Sequence, residues 1–593
     1  MLKRVVGFLV LLCLLAGCGG GGGGGDDRTP KGVLNAIADW TNFGTGISGN
    51  SMKWTLYTLD ESVIRSIAIN RLQNGEQTVP IEDVPRGLCH IRIELYSNAD
   101  LQGTLVGEID EIFEVKNISS YTACVGTQPE SIKVFPETST MKSGQGRQFY
   151  ANARNAASKP TFLAPGSVEW QAFGGVASVD EHGFVQATST GSGTIVANHP
   201  PSALQGGATL TVQNAVVTTG KWTVLVYMNA ASNLFEASDL NMNQMEQVAG
   251  NPDVRFVVQW KQSTNVFSES SFNGTRRYLV KQDNDSKQVK SELVQNMGLN
   301  VDMGKKETLH DFIAWAKTYH PAERYCLVIW NHGNGWRRGP DGSYPTRGVS
   351  YDDETGSSID TWELGQALGD NHFDILAWDA SLMQMLEVAS EVEEHADYVV
   401  GSEESPPGEG YPYHLVFAPF RDSPNSPTLA LTKSFVDGPF GFTYKGTPLL
   451  TQSVIDTTQL SALRTQIDAL ATALTNHVGE PGYATLIQSV RDGAKSYSPT
   501  FGRVYRDLWD VCDRLQNASG ILDIQEASGS VKTALANAIK WERHGNYLNS
   551  AGNHGLSIDF SKGTHFVGQV KSDYANLRFG SQTLWDEWLA VAP

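Results

Sequence analysis

Four apolar runs constrain this chain more than anything else in it: Trp222-Thr223-Val224-Leu225-Val226-Tyr227-Met228, Val254–Trp260, Tyr325–Trp330 and Phe373–Trp378. None alternates polar with apolar residues, as a strand with one wet face must. Runs of this length read as strands covered on both faces, the mark of a mostly parallel sheet flanked by helices. The intervening stretches fit. Leu234–Val248 carries Leu240, Met245 and Val248 at helical spacing, Thr308–Tyr319 and Trp362–Leu368 read as helices, and a further strand, Tyr398–Val400, runs into Gly401-Ser402-Glu403-Glu404. Two strands end in reactive groups: the third in Asn331-His332-Gly333, the fourth in Asp379-Ala380-Ser381. Open α/β sheets bind ligands at that edge. Apolar residues at Met385, Val388, Ala389 and Val392 predict a helix directly after the fourth strand, its amides aimed at Ser381.

At 593 residues the chain exceeds one hydrophobic core. Residues 31–127 show period-2 stretches such as His90-Ile91-Arg92-Ile93-Glu94-Leu95-Tyr96, which predict a β-sandwich. Residues 128–214 carry seven or so short strands, from Ser131-Ile132-Lys133-Val134-Phe135 through Val168-Glu169-Trp170 to Ala208-Thr209-Leu210-Thr211-Val212. Their order resembles bacterial immunoglobulin-like domains, with Trp170 as core anchor. The expected architecture is therefore multidomain: two all-β sandwiches, an α/β domain over 220–440 and a helical C-terminal subdomain over 441–593. In the last, Leu460–Leu474, Val504–Leu515 and Val531–Trp541 read as helices and Gly555–Phe560 as a strand.

The first residues speak to location. Lys3 and Arg4 precede an apolar run, Val5–Leu15, too short for a membrane span. It ends in Leu15-Ala16-Gly17-Cys18, which resembles the lipobox of bacterial lipoproteins. That resemblance implies removal of residues 1–17, a lipid on Cys18, and a flexible tether over 18–30 holding the protein in the cell envelope, at the outer membrane or cell surface. Export permits disulfides, and Cys89 and Cys124 are candidates to pair; Cys326, inside an apolar strand, reads as a buried small hydrophobe. The net charge of -19, from 45 basic and 64 acidic residues without a basic cluster, excludes a nucleic-acid partner.

A histidine at one strand end and a nucleophile position 49 residues later fit a catalytic dyad. Together with Trp222–Met228, Pro407-Gly408-Glu409-Gly410-Tyr411-Pro412-Tyr413 and Gly555-Leu556-Ser557-Ile558, these motifs resemble the clostripain family of caspase-like cysteine peptidases. The resemblance implies hydrolysis of peptides after Arg or Lys. His332 would be the base, residue 381 the nucleophile and Asp379 the carboxylate that fixes the basic side chain; Glu403 would add charge to that pocket. The backbone N–H groups of Gly333 and Ser381 are the natural oxyanion donors. No cofactor is required, although the Asp352-Asp353 pair offers carboxylates to calcium, which some family members need. Arg337, Arg338 and Arg347 lie where members of the family cut themselves.

One residue departs from the family: serine stands at 381 in place of cysteine. A thiol is partly ionised near neutrality, whereas a hydroxyl needs a base aligned within about 2.6–3.2 Å. Three readings stay open: a peptide-binding relative without turnover, a hydrolase using Ser381 and His332, or a peptidase whose nucleophile has been substituted.

Overall fold

The computed structural model describes residues 30–42, 44, 46–58, 63–215, 217–337, 348–440, 443–444, 447–448, 451–497, 504–545 and 552–593. The lipobox with Cys18, and Arg338 and Arg347, lie outside them. Two compact units divide the chain after Asn214.

The N-terminal unit is all β. Its two segments each hold an apolar core, one around Trp40, Trp54, Ile91 and Ile93, the other around Phe149, Val185, Ile195 and Leu210. One six-stranded sheet nevertheless crosses the expected boundary at 127/128, running Glu76–Pro85, Lys31–Asp39, Ile118–Cys124, Pro160–Thr161, Tyr150–Arg154, Ser131–Phe135. Phe162, from the second segment, is buried in the first core. A buried polar cluster ties the same seam: Glu111 accepts from the Tyr121 hydroxyl, from Asn152 Nδ2 at 2.7 Å and from Arg154 Nη2. The two segments therefore keep separate cores while sharing one sheet across that boundary. The expected Cys89–Cys124 pairing is not made. Both thiols are free and buried, Cys124 Sγ facing Asp39 Oδ2 at 3.8 Å. Trp170 packs on the rim of the second core, half-buried rather than central.

In the C-terminal unit the apolar runs form the middle of a nine-stranded sheet. Its elements, in chain order, begin with β1 (Gly220–Asn229), α1 (Phe235–Val248), β2 (Val254–Gln262), β3 (Gly274–Leu279) and β4 (Glu292–Asn296). There follow α2 (Lys306–Tyr319), β5 (Ala322–Trp330), β6 (Phe373–Asp379), α3 (Leu386–Val392), β7 (Ala396–Gly401), β8 (Thr451–Asp456) and β9 (Ile539–His544). The spatial order is β4-β3-β2-β1-β5-β6-β7-β8-β9. The five central strands are parallel, and the outer pairs are antiparallel. Residues of β1 go alternately to the two faces. Leu225 and Tyr227 meet Phe312 and Ile313 of α2, while Val224 and Val226 pack with Met242 and Met245 of α1. Each such side chain contributes roughly 1.5–3 kcal/mol by burial, so a charge at Val226 or Leu327 would break the sheet's cover.

Two expectations change here. Residues 441–593 also supply two strands, β8 and β9, to the main sheet. The predicted helix Val531–Trp541 ends at Ala538, and Trp541 pairs with Val454 in β9–β8, extending the main sheet. The predicted Val504–Leu515 helix begins only at Leu508, because Tyr505–Asp507 pairs as a strand with Ser557–Asp559. Asp507 then caps the helix, accepting from Asp510 N at 2.7 Å.

Candidate functional site

Strand order reverses beside β1, whose neighbours are β2 on one side and β5 on the other. Loops diverge at such a point and leave a crevice beyond the strand ends. A cavity of about 250 Å³ lies there, lined by Asn331–Asn334 after β5, Asp379–Leu382 around the end of β6, Ser405–Gly408 and Gly410 after β7, and Leu234 after β1. His332, Gly333, Asp379 and Ser381 all line this cavity.

Asn331 holds the histidine's backbone. Its Oδ1 accepts from His332 N and from Tyr351 N at 3.0 Å, and its Nδ2 donates to the carbonyls of Asn229 and Tyr351, joining the ends of β1 and β5 to the Val349–Asp352 strand. The imidazole is half-buried, and burial lowers its pKa below the usual histidine value. It is therefore neutral near pH 7, as a base must be. Its Nε2 lies 2.6 Å from Asn233 Oδ1. Gly333 is required by contact: a Cβ there would stand 2.5 Å from the Ser381 carbonyl oxygen.

Ser381 sits two residues past β6, but not at a helix N-terminus. α3 starts only at Leu386. Leu382 has φ 63, which turns the chain. Residues 384–385 then run extended, with Gln384 N donating to Ser402 O at 3.2 Å and Ser557 N to Gln384 O at 3.1 Å. The expected helix amides are consequently displaced from the hydroxyl. Among the described residues nothing hydrogen-bonds Ser381 Oγ.

Asp379 is 5% exposed. Its carboxylate accepts from Tyr411 N at 3.1 and 3.2 Å and from the Tyr413 hydroxyl at 2.8 Å. Gly410, at φ 70, passes so close that a Cβ would lie 2.6 Å from Asp379 Oδ2. The Gly410-Tyr411-Pro412-Tyr413 motif is therefore a cradle for this carboxylate, a role its sequence alone does not disclose. Burial outweighs the two hydrogen bonds and raises the Asp379 pKa to about 6. Among the described residues no Lys or Arg is paired with it. A carboxylate bordering a cavity, with no described Lys or Arg paired to it, has the chemistry to accept a cation.

Glu403 does not join this pocket. It is buried behind the lining, where Oε2 accepts from Gly555 N at 3.0 Å. Burial, and then the adjacent Asp507, raise its pKa well above the carboxylate range. A carboxyl held there neutral adds no charge to the cavity. Asp352 is likewise occupied: its Oδ2 accepts from the buried Lys261 Nζ at 2.8 Å and from Met303 N at 3.0 Å. Among the described residues no group of three or more His, Cys, Asp or Glu is placed to hold a metal. Arg337 turns into the protein, 3.7 Å from Asp559 Oδ2 and donating to His565 O. Cys326 and Cys512 are fully buried, and neither lines the cavity.

Residues 226–591 match the clostripain family. Clostripain of Hathewaya histolytica is 28% identical over 223 residues, 33% of this chain and 41% of that protein, so the matched region spans less than half of the relative's length. Among solved structures, an inactive zymogen C11 protease from Parabacteroides distasonis is 19% identical with a TM-score of 0.47, covering 62% of this chain and 99% of the other. A secreted C11 cysteine protease from Bacteroides thetaiotaomicron, in complex with an irreversible peptide inhibitor, is 21% identical with a TM-score of 0.47, covering 62% of this chain and 100% of the other.

Proposed function

Because the chain belongs to the clostripain family, we propose that its cavity binds peptides through an Arg or Lys side chain and cleaves after it, with residue 381 as the attacking group. The observation that carries this reading is the Asp379 carboxylate, which no described Lys or Arg pairs, in the cavity that His332 and Ser381 also line. A guanidinium entering the cavity pairs with Asp379. Ser381 Oγ attacks the carbonyl carbon that follows, and its proton passes to His332. The oxyanion is held by the N–H groups of Gly333 and Ser381. As the C–N bond breaks, His332 returns the proton to the leaving amine, and water then hydrolyses the ester along the same path. A serine in a site without an aligned partner is slow. Contacts of this kind tighten when substrate binds, but turnover stays several powers of ten below that of a thiol. Calorimetric titration of the purified chain with an Arg-containing peptide and its citrulline counterpart tests the pocket. Tight binding of the first alone is expected, and equal affinities would reject a role for Asp379.

We propose further that the protein is lipidated at Cys18 and held in the cell envelope, with the N-terminal β unit as spacer. The Leu15-Ala16-Gly17-Cys18 motif supports this. No helix among the described residues is long and apolar enough to cross a membrane. Cys18→Ser should release the protein from the membrane fraction; retention would reject the anchor.

A further inference from the structure

Asn233, in the turn between β1 and α1, belongs to no motif, yet its side chain hydrogen-bonds the His332 ring. Its Oδ1 lies 2.6 Å from Nε2. An amide oxygen only accepts, so with this contact the ring proton resides on Nε2 and Nδ1 presents its lone pair. We infer that Asn233 is a positioning residue for the hydrolysis proposed above, holding His332 in the orientation and tautomer whose Nδ1 takes the proton from residue 381.

Three features support the assignment. The turn is rigid: Ala230 N donates to Lys261 O at 2.8 Å, Ala231 O accepts from Asp353 N at 2.8 Å, and Ser232 Oγ accepts from Leu234 N at 3.3 Å. Asn233 itself is exposed, and the side-chain hydrogen bond it makes among the described residues is the one to His332. The orienting group is also neutral. Burial lowers the imidazole pKa and keeps the ring uncharged near neutral pH. An aspartate there would stabilise the imidazolium and protonate the base at higher pH. An amide fixes the ring without that effect, a suitable partner for a base that has to start neutral. It is also weaker than the carboxylate of a Ser-His-Asp triad at stabilising the charged ring in the transition state, which agrees with slow turnover by an oxygen nucleophile.

The inference rests on His332 serving residue 381, and the test separates the two. Full-length protein with ¹⁵N-labelled histidine, in the native chain and in Asn233→Ala, gives the His332 tautomer from its ring nitrogen shifts, assigned by loss of the signal in His332→Gln. The Nε2–H form is expected in the native chain and a mixture in Asn233→Ala. In parallel, kcat and KM on an Arg reporter peptide are measured in Ser381→Cys, alone and combined with Asn233→Ala or His332→Ala. Asn233→Ala should lower kcat about 10- to 100-fold, part of the 10²–10⁴-fold supplied by a positioned base, with KM changed less than about twofold. An unaltered tautomer and kcat in Asn233→Ala, while His332→Ala abolishes turnover, would overturn the role of Asn233 alone. Turnover that survives His332→Ala would overturn the dyad and, with it, this inference.

Discussion

Replacing Asp379 by asparagine should stabilise the fold while destroying the pocket. The carboxyl is buried, and its pKa stands at about 6 against an ordinary value of 3.8. At about 1.36 kcal/mol for each tenfold, keeping it ionised at pH 8 costs the folded state about 3 kcal/mol. The sign follows from the direction. A carboxyl whose folded pKa is raised binds protons more tightly when folded, so its burden is absent below about pH 4, grows between about pH 4 and 6 and is complete above that. Asparagine keeps the size, and its oxygen can accept from Tyr413, but its NH2 faces the Tyr411 N–H, which returns about 1 kcal/mol. The net is a gain of about 2 kcal/mol at pH 8 and a small loss at pH 4, a rise in Tm of a few degrees at the higher pH only. Over the same series, binding of an Arg peptide should fall by about 100-fold or more, since a desolvated charge pair loses one partner. Thermal melts of both proteins at pH 4 and 8, with the calorimetric titration, give both quantities. A variant less stable than the native chain at pH 8, or equally shifted at both pH values, would refute the assignment of Asp379 as an uncompensated buried charge.

Other consequences follow from single contacts. Gly333→Ala should reduce peptide binding and turnover at least about tenfold and also lower Tm, because its Cβ must displace the Ser381 backbone carbonyl in a buried site, at a cost of about 1–3 kcal/mol; the activity assay and a thermal melt together check it. Glu111→Ala should destabilise the N-terminal unit by about 3–5 kcal/mol by leaving Arg154 without its partner in a mostly buried site, read as a lower midpoint of that unit's unfolding. Native peptide binding should be unaffected by EDTA, since the nearest calcium candidate, Asp352, is held by Lys261; a loss of binding on chelation would contradict that pairing as a sufficient counter-charge.

What the sequence made legible was whatever relied on unbroken apolarity. The central strands β1, β2, β5, β6 and β7 were readable because both their faces are covered, and the polar residues that interrupt them at their ends mark the site. The antiparallel strands that flank them were not. β3 carries Arg276 and Arg277, buried by cation–π contacts to Phe272 and Trp315, and β8 buries Gln452 and Ser453. Polar and charged side chains buried in the fold do not show as strands in a local apolar pattern. The same limit explains Glu403, which looks exposed beside Glu404 yet is claimed by Gly555, and the helix after Ser381, whose first turn is taken by pairing with Ser557. Asn233 could have been noticed as a polar residue at the turn after β1, the strand beside the switch point, but only its distance to His332 gives it a role.

The central claim, that residue 381 is the attacking group of an Arg-directed peptidase site, is tested most directly by one comparison. Hydrolysis of an Arg reporter peptide is measured for the native chain, Ser381→Cys and Ser381→Ala under identical conditions. The expected order is cysteine above serine by several powers of ten, serine measurable above alanine, and alanine at background. A cysteine variant no faster than the alanine variant would contradict the account.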